Sequence, residues 1–171
     1  MKLGDICNSI SVTFDKTKSK VVLINTSDIL DGKVTNHTLV DNTGLKGQFK
    51  KTFQKNDILY SEIRPKNKRF AFVDFNASDY VASTKLMVIR ANHKVLPQYL
   101  YQILKSEEVI NQLQTLAESR SGTFPQITFS EVAQIDVCIP KLDEQKEVAI
   151  FLKLFDDKID NNKKINHHLV A

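Results

Sequence analysis

The sequence predicts an α+β fold: a mixed-sheet domain with packed helices, followed by a long C-terminal helix of coiled-coil type. Three observations carry this. Short β-branched and aromatic runs recur between positions 21 and 90. Apolar residues then switch to helical spacing after Pro97. The last thirty or so positions carry a single apolar stripe with charged flanks. Strands and helices alternate irregularly, which favours α+β over a regular βαβ array.

Taken in order, Leu3 to Ile10 is a short apolar-polar opening, too brief to type, and Asp15 to Lys20 is a polar turn. Val21-Val22-Leu23-Ile24 is β-branched and bounded by polar residues, a buried strand. Asp31-Gly32 marks a turn, and Asp41 to Lys51 reads as a loop broken by Gly44 and Gly47. Ile58-Leu59-Tyr60 is a strand closed by Arg64-Pro65. Phe70 to Phe75 is an aromatic strand. Tyr80 to Arg90 is another, with Leu86-Met87-Val88-Ile89 as its buried half.

Pro97 opens a helix at the position proline favours, and Leu100, Ile103, Leu104, Val109, Ile110, Leu113 and Leu116 continue it as one apolar face. Thr128-Phe129-Ser130-Glu131 fits a capping box. A short helix and an apolar strand, Ile135 to Ile139, follow. Cys138 reads as a small core residue of that strand. Pro140 stops the strand and stands outside the last helix, which runs from about Asp143 to the end.

A chain of 171 residues with net charge +4 is one mildly basic unit, which permits an anionic partner without demanding one. Cys7 and Cys138 lack CxxC spacing and read as free thiols of a reducing compartment. No run approaches the ~20 apolar residues of a membrane span, and no charged-then-apolar leader opens the chain. The expectation is therefore a soluble, cytoplasmic protein with no membrane partner.

Enzymatic signatures are missing. There is no GxGxxG and no P-loop glycine-lysine pattern. His37, His93, His167 and His168 form no ligand pattern with the cysteines, so no metal is expected. Asp143, Glu144 and Lys146 superficially suggest a nuclease set, but acids at a helix start are explained by its positive end. The chain is expected to be non-catalytic and to carry no cofactor.

Cations cluster instead. Lys46, Lys50, Lys51, Lys55, Arg64, Lys66, Lys68 and Arg69 are opposed locally only by Asp57 and Glu62. Such a group suits phosphate contact by counterion release, and Gln48 and Arg64 have the bidentate geometry for adenine and guanine edges. A solvated lysine-rich face explains the same composition. Arg120, Ser121 and Thr123, in the small-residue loop Ser119 to Thr123, form a second candidate, where Gly122 also fits a helix C-cap. Thr84 and Lys85 form a third, on the outward face of a strand.

In the last helix, Val148, Leu152, Phe155, Ile159, Asn162, Asn166 and Leu169 follow 4-3-4-3-4-3 spacing, the seam of a coiled coil. Seam asparagines fix register and partner number. The other reading folds Val148 to Phe155 back onto the chain's own domain.

Several segments together carry a family resemblance: Gly122-Thr123, Ile127-Thr128, Ile135-Asp136-Val137-Cys138-Ile139-Pro140, and Leu142-x-Glu144-Gln145-Lys146-x-Val148-Ala149-x-x-Leu152. Two upstream segments join them, Leu3-Gly4-Asp5-Ile6-Cys7 and Asp57-Ile58-Leu59-Tyr60-Ser61-x-Ile63-Arg64-Pro65. The chain resembles the specificity subunits of type I restriction-modification systems. These join target-recognition domains that read double-stranded DNA to helices that act as spacers.

The family's usual subunit has two domains and two helices; this chain has room for one of each and no internal repeat, as expected of a half-subunit or a fragment. The resemblance implies a target-recognition domain at 1–141 and a spacer or dimerisation helix at 142–171. It implies pairing with a second copy or another half. It also implies recruitment of DNA-methyltransferase (modification) subunits, and of a restriction subunit in the full complex. The rival reading is an assembly or decoy module that binds modification subunits without reading sequence.

Overall fold

The computed structural model describes residues 1–15, 17–43, 47–119 and 125–170, with side chains described as far as 166. In chain order the strands are β1 (Cys7–Ile10), β2 (Lys20–Ile24), β3 (Ile29–Leu30), β4 (Lys33–Val34), β5 (Leu39–Asp41) and β6 (Phe49–Lys51). They continue with β7 (Ile58–Ser61), β8 (Phe70–Phe72), β9 (Tyr80–Ser83) and β10 (Leu86–Ala91). The helices are α1 (Pro97–Leu104), α2 (Glu107–Ser119), α3 (Phe129–Ala133) and α4 (Leu142–Val170).

The strands form two four-stranded sheets and a ribbon. The first sheet, β1-β10-β7-β8, is antiparallel throughout. The second, β5-β2-β9-β6, is mixed: β2 and β9 run parallel and the remaining pairs antiparallel. The ribbon β3-β4 turns on Asp31 (φ 46°) and Gly32 (φ 91°), the double positive φ of a two-residue hairpin turn. A Cβ on Gly32 would collide with the Tyr101 hydroxyl, so the expected turn also needs its glycine for space.

The apolar run Leu86-Met87-Val88-Ile89 is explained by the first sheet's two covered faces. Alternation sends Met87 and Ile89, with Ile58 and Tyr60, toward α1, α2 and α3, where Leu100, Leu104, Ile110, Leu113 and Val132 meet them. Leu86, Val88 and Leu59 point the other way, against Val22, Ile24, Phe53 and Ala82 of the second sheet and its approaches. Each such fully buried side chain contributes about 1.5–3 kcal/mol. Asp57 is buried between these layers and accepts two hydrogen bonds from Arg90, at 2.7 and 2.8 Å.

Four elements differ from expectation. The single strand Tyr80–Arg90 is two strands in different sheets, because Ser83 Oγ accepts the Lys85 N–H and turns the chain at Thr84-Lys85. The helix from Pro97 breaks after Leu104; Ser106 Oγ accepts the Val109 N–H and starts α2 afresh. Residues 135–139 pair only with the N-terminal residues, through the Lys2–Asp136 bridge, and so form no ladder. Cys138 on that segment is exposed, not core. The expected loop 41–51 ends in strand β6. The cap of α3 is as expected: Glu131 reaches back to the Thr128 N–H at 2.7 Å.

Helix α4 meets the domain along a narrow, mostly polar line. Gln145, 1% exposed, accepts the Leu96 N–H and donates to the Lys94 and Pro140 carbonyls. Ala149 is buried beside it. Further along, Asp156 takes Lys105 and Gln102, Asp160 pairs with Lys33, and Lys163 lies 3.6 Å from Asp31. The helix thus spans a groove of about 1180 Å³, lined by Phe70, Phe72, Phe75 and Tyr101, rather than filling it.

Candidate nucleic-acid interface

Four stretches of chain meet beside the β9–β10 turn. The Thr84 N–H donates to the Gln48 carbonyl at 2.7 Å, joining the approach to β6 to the β9–β10 turn. The Glu62 N–H donates to the Lys85 carbonyl at 3.0 Å, joining that turn to the end of β7. Ile63 bridges Gln126, and the Arg64 N–H donates to the Pro125 carbonyl at 3.1 Å. Gln48, Lys50, Arg64, Lys66 and Lys85 are exposed there or next to it. Lys85 Nζ donates to Gln126 Oε1 at 3.2 Å, so this lysine lies across the seam between two segments.

The turn that holds Thr84 and Lys85 was expected as the outward face of a strand. It is instead the crossing from one sheet to the other, and Thr84 is half-buried. Its carbonyl accepts from Lys51 Nζ at 3.1 Å.

Three of the expected cations have partners within the domain, two on backbone carbonyls and one in an exposed ion pair. Lys51 Nζ also donates to the Leu86 carbonyl at 2.8 Å and lies 3.9 Å from Glu62. Burial lowers its pKa, Glu62 opposes that, and Lys85 adds to it. Arg69 Nη1 donates to the Ser27 and Ile29 carbonyls. Lys68 pairs with Glu107 at 2.6 Å, and this hydrogen bond raises its pKa. Lys51 and Arg69 hold backbone carbonyls, and Lys68 is tied to α2. For Lys51 and Arg69 the physical reason is shared: strand and turn ends leave carbonyls that long basic side chains satisfy. Lys46, Arg120, Ser121 and Thr123 lie outside the described residues, and Leu169 lies beyond the described side chains.

The segment Arg64–Lys68 has a conformation of its own. Pro65–Asn67 is one 3-10 turn flanked by Arg64 (φ 45°) and Lys68 (φ 52°), both left-handed. Bulky L-residues adopt that region only when their surroundings force it. A hollow of about 180 Å³, lined by Thr26, Ser27, Ser61, Ile63, Asn67 and Arg69, lies at its base.

Two glutamines belong to this region that composition did not single out. Gln126 binds Lys85. Gln114 of α2, 6% exposed, accepts the Lys66 N–H at 3.1 Å. Its signal was available: it interrupts the apolar row Ile110, Leu113, Ala117 on a helix that buries that face. Among the described residues the surface offers cations, amides and the Arg64 guanidinium, the donor set for phosphates and base edges. Among the described residues, no group of three or more His, Cys, Asp and Glu could hold a metal ion.

Helix α4 presents an apolar face to solvent. Val148, Phe155 and Ile159 of the expected seam are exposed and Leu152 is half-buried. Asn162 and Asn166 are exposed in the same row. Phe151, Leu154 and Ile165 widen the face, and Phe151 packs edge-to-face on Phe155 at 5.0 Å.

Comparison with known proteins agrees along almost the whole chain. A family model described as the type I restriction modification DNA specificity domain matches residues 1–170. The chain is 46% identical over 169 residues to the type I restriction enzyme HindI specificity subunit of Haemophilus influenzae, covering 98% of this chain and 37% of that protein. It is 33% identical over 75 residues to the MjaIX specificity subunit of Methanocaldococcus jannaschii, covering 44% of this chain and 17% of that one.

Its fold matches the HsdS subunit from Thermoanaerobacter tengcongensis with a TM-score of 0.81 at 23% identity, covering 96% of this chain and 43% of that one. For the S subunit from M. genitalium the TM-score is 0.61 at 16% identity, with coverage of 96% and 40%. The chain therefore spans well under half the length of the relatives it matches. From its first residue to the end of α4, it belongs to the type I restriction modification DNA specificity domain family.

Proposed function

We propose that this chain reads double-stranded DNA sequence as one half of a type I specificity subunit. Residues 1–141 form the target-recognition domain and 142–171 the spacer helix. The observation that carries the reading is the separation of two chemistries. Gln48, Lys50, Arg64, Lys66 and Lys85 gather where four backbone segments meet, and the exposed apolar face of α4 lies on a different element. The first suits an anionic, hydrogen-bonding duplex; the second suits another helix.

In this reading the chain performs no chemistry. It positions modification subunits, which supply methyl transfer, and a restriction subunit in the full complex. A second copy or another half completes a bipartite target by two-fold pairing. The rival, an assembly module indifferent to sequence, would need only α4.

The test is selection from a random-core duplex library by the full chain, followed by mapping of methylated sites in cells with and without its gene. A recovered half-site motif, present in the methylated sites only with the gene, supports sequence reading. Equal recovery of all sequences would leave the assembly reading.

A further inference from the structure

We infer that Arg64 is a guanine-reading residue and that Gln114 is the positioning residue that aims it. This rests on the DNA-reading function proposed above and adds who reads and what holds the reader.

The argument starts from a cost. Helix α2 buries Val109, Ile110, Leu113 and Ala117, so an apolar side chain at 114 would extend that row without a polar group to satisfy. The helix carries a glutamine there, and both ends of its amide are used. Nε2 donates to Glu118 Oε1 at 2.7 Å, which fixes which way the amide faces. Oε1 then accepts the Lys66 N–H at 3.1 Å. That N–H lies in the first turn of a 3-10 helix, where no intrahelical acceptor exists. Water would serve an exposed loop equally well, so a buried side chain 48 residues away fixes the place of this turn rather than merely satisfying it.

The same helix holds the other end of the turn through Lys68–Glu107 at 2.6 Å. Pro65 is buried, the Arg64 carbonyl accepts the Asn67 N–H at 2.8 Å, and the Arg64 N–H is taken by Pro125. Together these contacts force Arg64 to φ 45° and leave its side chain exposed. A left-handed non-glycine residue whose backbone is clamped from both sides presents its fork of donors from a fixed base, suited to a planar acceptor pair. In duplex DNA that pair is O6 and N7 of guanine in the major groove.

The test uses the full chain, the random-core duplex library, and titration of the selected and a scrambled duplex at one fixed salt concentration. Arg64→Lys keeps the charge and loses the fork. It should leave scrambled-duplex affinity within about twofold and cut the preference for one G·C pair about tenfold or more. Arg64→Gly, which suits the positive φ, should lose the same preference while melting no lower than the parent. Gln114→Met keeps length and loses the clamp. It should relax the same base pair with scrambled-duplex affinity unchanged, an effect that a general loss of fold would not produce. If Gln114→Met does not fold, Glu118→Ala, which frees the Gln114 amide from the exposed side, is read in its place and should relax the same base pair.

An unaltered motif in Arg64→Lys overturns the reader. An unaltered motif in a folded Gln114→Met, with Arg64→Lys altered, overturns the clamp alone. A parent chain with no sequence preference overturns the underlying function and this inference with it.

Discussion

Lys50 and Lys51 are neighbours in β6 with different roles. Lys50 is exposed, whereas Lys51 turns its ammonium onto two carbonyls and Glu62. Composition makes them equivalent; strand alternation separates them. The cysteines divide the same way. Cys138 is exposed, while Cys7 is buried in the helix-side core and donates to the Leu3 carbonyl at 3.3 Å. Burial pushes the Cys7 thiol from its usual 9.0 up to about 12.

An acid whose folded pKa is raised stabilises the fold fully below its unfolded value and loses that contribution as pH rises through the folded one. The Cys7 contribution is therefore intact below pH 9 and lost as pH climbs toward about 12. At pH 8 a thiol reagent is expected to label Cys138 within minutes and Cys7 only after denaturant is added. Two fast native thiols, counted by mass, would contradict the packing of Cys7.

At the scale of elements, α4 is the one whose attachment is least like its sequence. The sequence foretells either a coiled-coil seam or a helix whose apolar stripe folds back to finish the core. In the structure its inward line is Gln145, Ala149, Asp156, Asp160 and Lys163; Ile150 and Ile159 border the groove, Leu152 is half-buried, and Val148, Phe151, Leu154 and Phe155 are exposed. The first turn carries the buried contact, and the ion pairs beyond it are half-exposed or exposed. Gln145→Ala removes three hydrogen bonds made by one buried amide and is expected to lower stability by about 2 kcal/mol in urea unfolding. Asp156→Ala removes only a partly solvated pair and is expected to cost no more than ~1 kcal/mol. A reversed order would mean that ion pairs, not Gln145, anchor the helix.

For the whole molecule the consequence is an unmatched face. Phe151 and Phe155, 58% and 54% exposed, sit among Val148, Leu154, Ile159 and Ile165 on one side of a single helix. Phe155→Asp is expected to abolish helix-mediated association, since pairing would bury an unpaired charge. Because Phe155 touches little of its own domain, the melting temperature of the monomer should move by no more than a degree or two. Sedimentation of the parent and variant checks both, and an intact assembly in the variant would place the seam elsewhere.

Much of this was legible before any coordinates. The β-branched run at 21–24, the Asp31-Gly32 turn, the capping box at Thr128–Glu131 and the start of the last helix after Pro140 are local statements. They depend on residues a few positions apart, and local chemistry decided them. The family, too, was written in short segments along the chain. Tertiary structure alone decided that Tyr80–Arg90 divides between two sheets and that Lys51 and Arg69 serve backbone carbonyls. It alone decided that Gln114 reaches Lys66 and that most of the stripe of α4 stays exposed. Each of these turns on a partner more than thirty residues away or on the other side of a layer. Periodicity says that a residue has an inside and an outside; only packing says what stands on each.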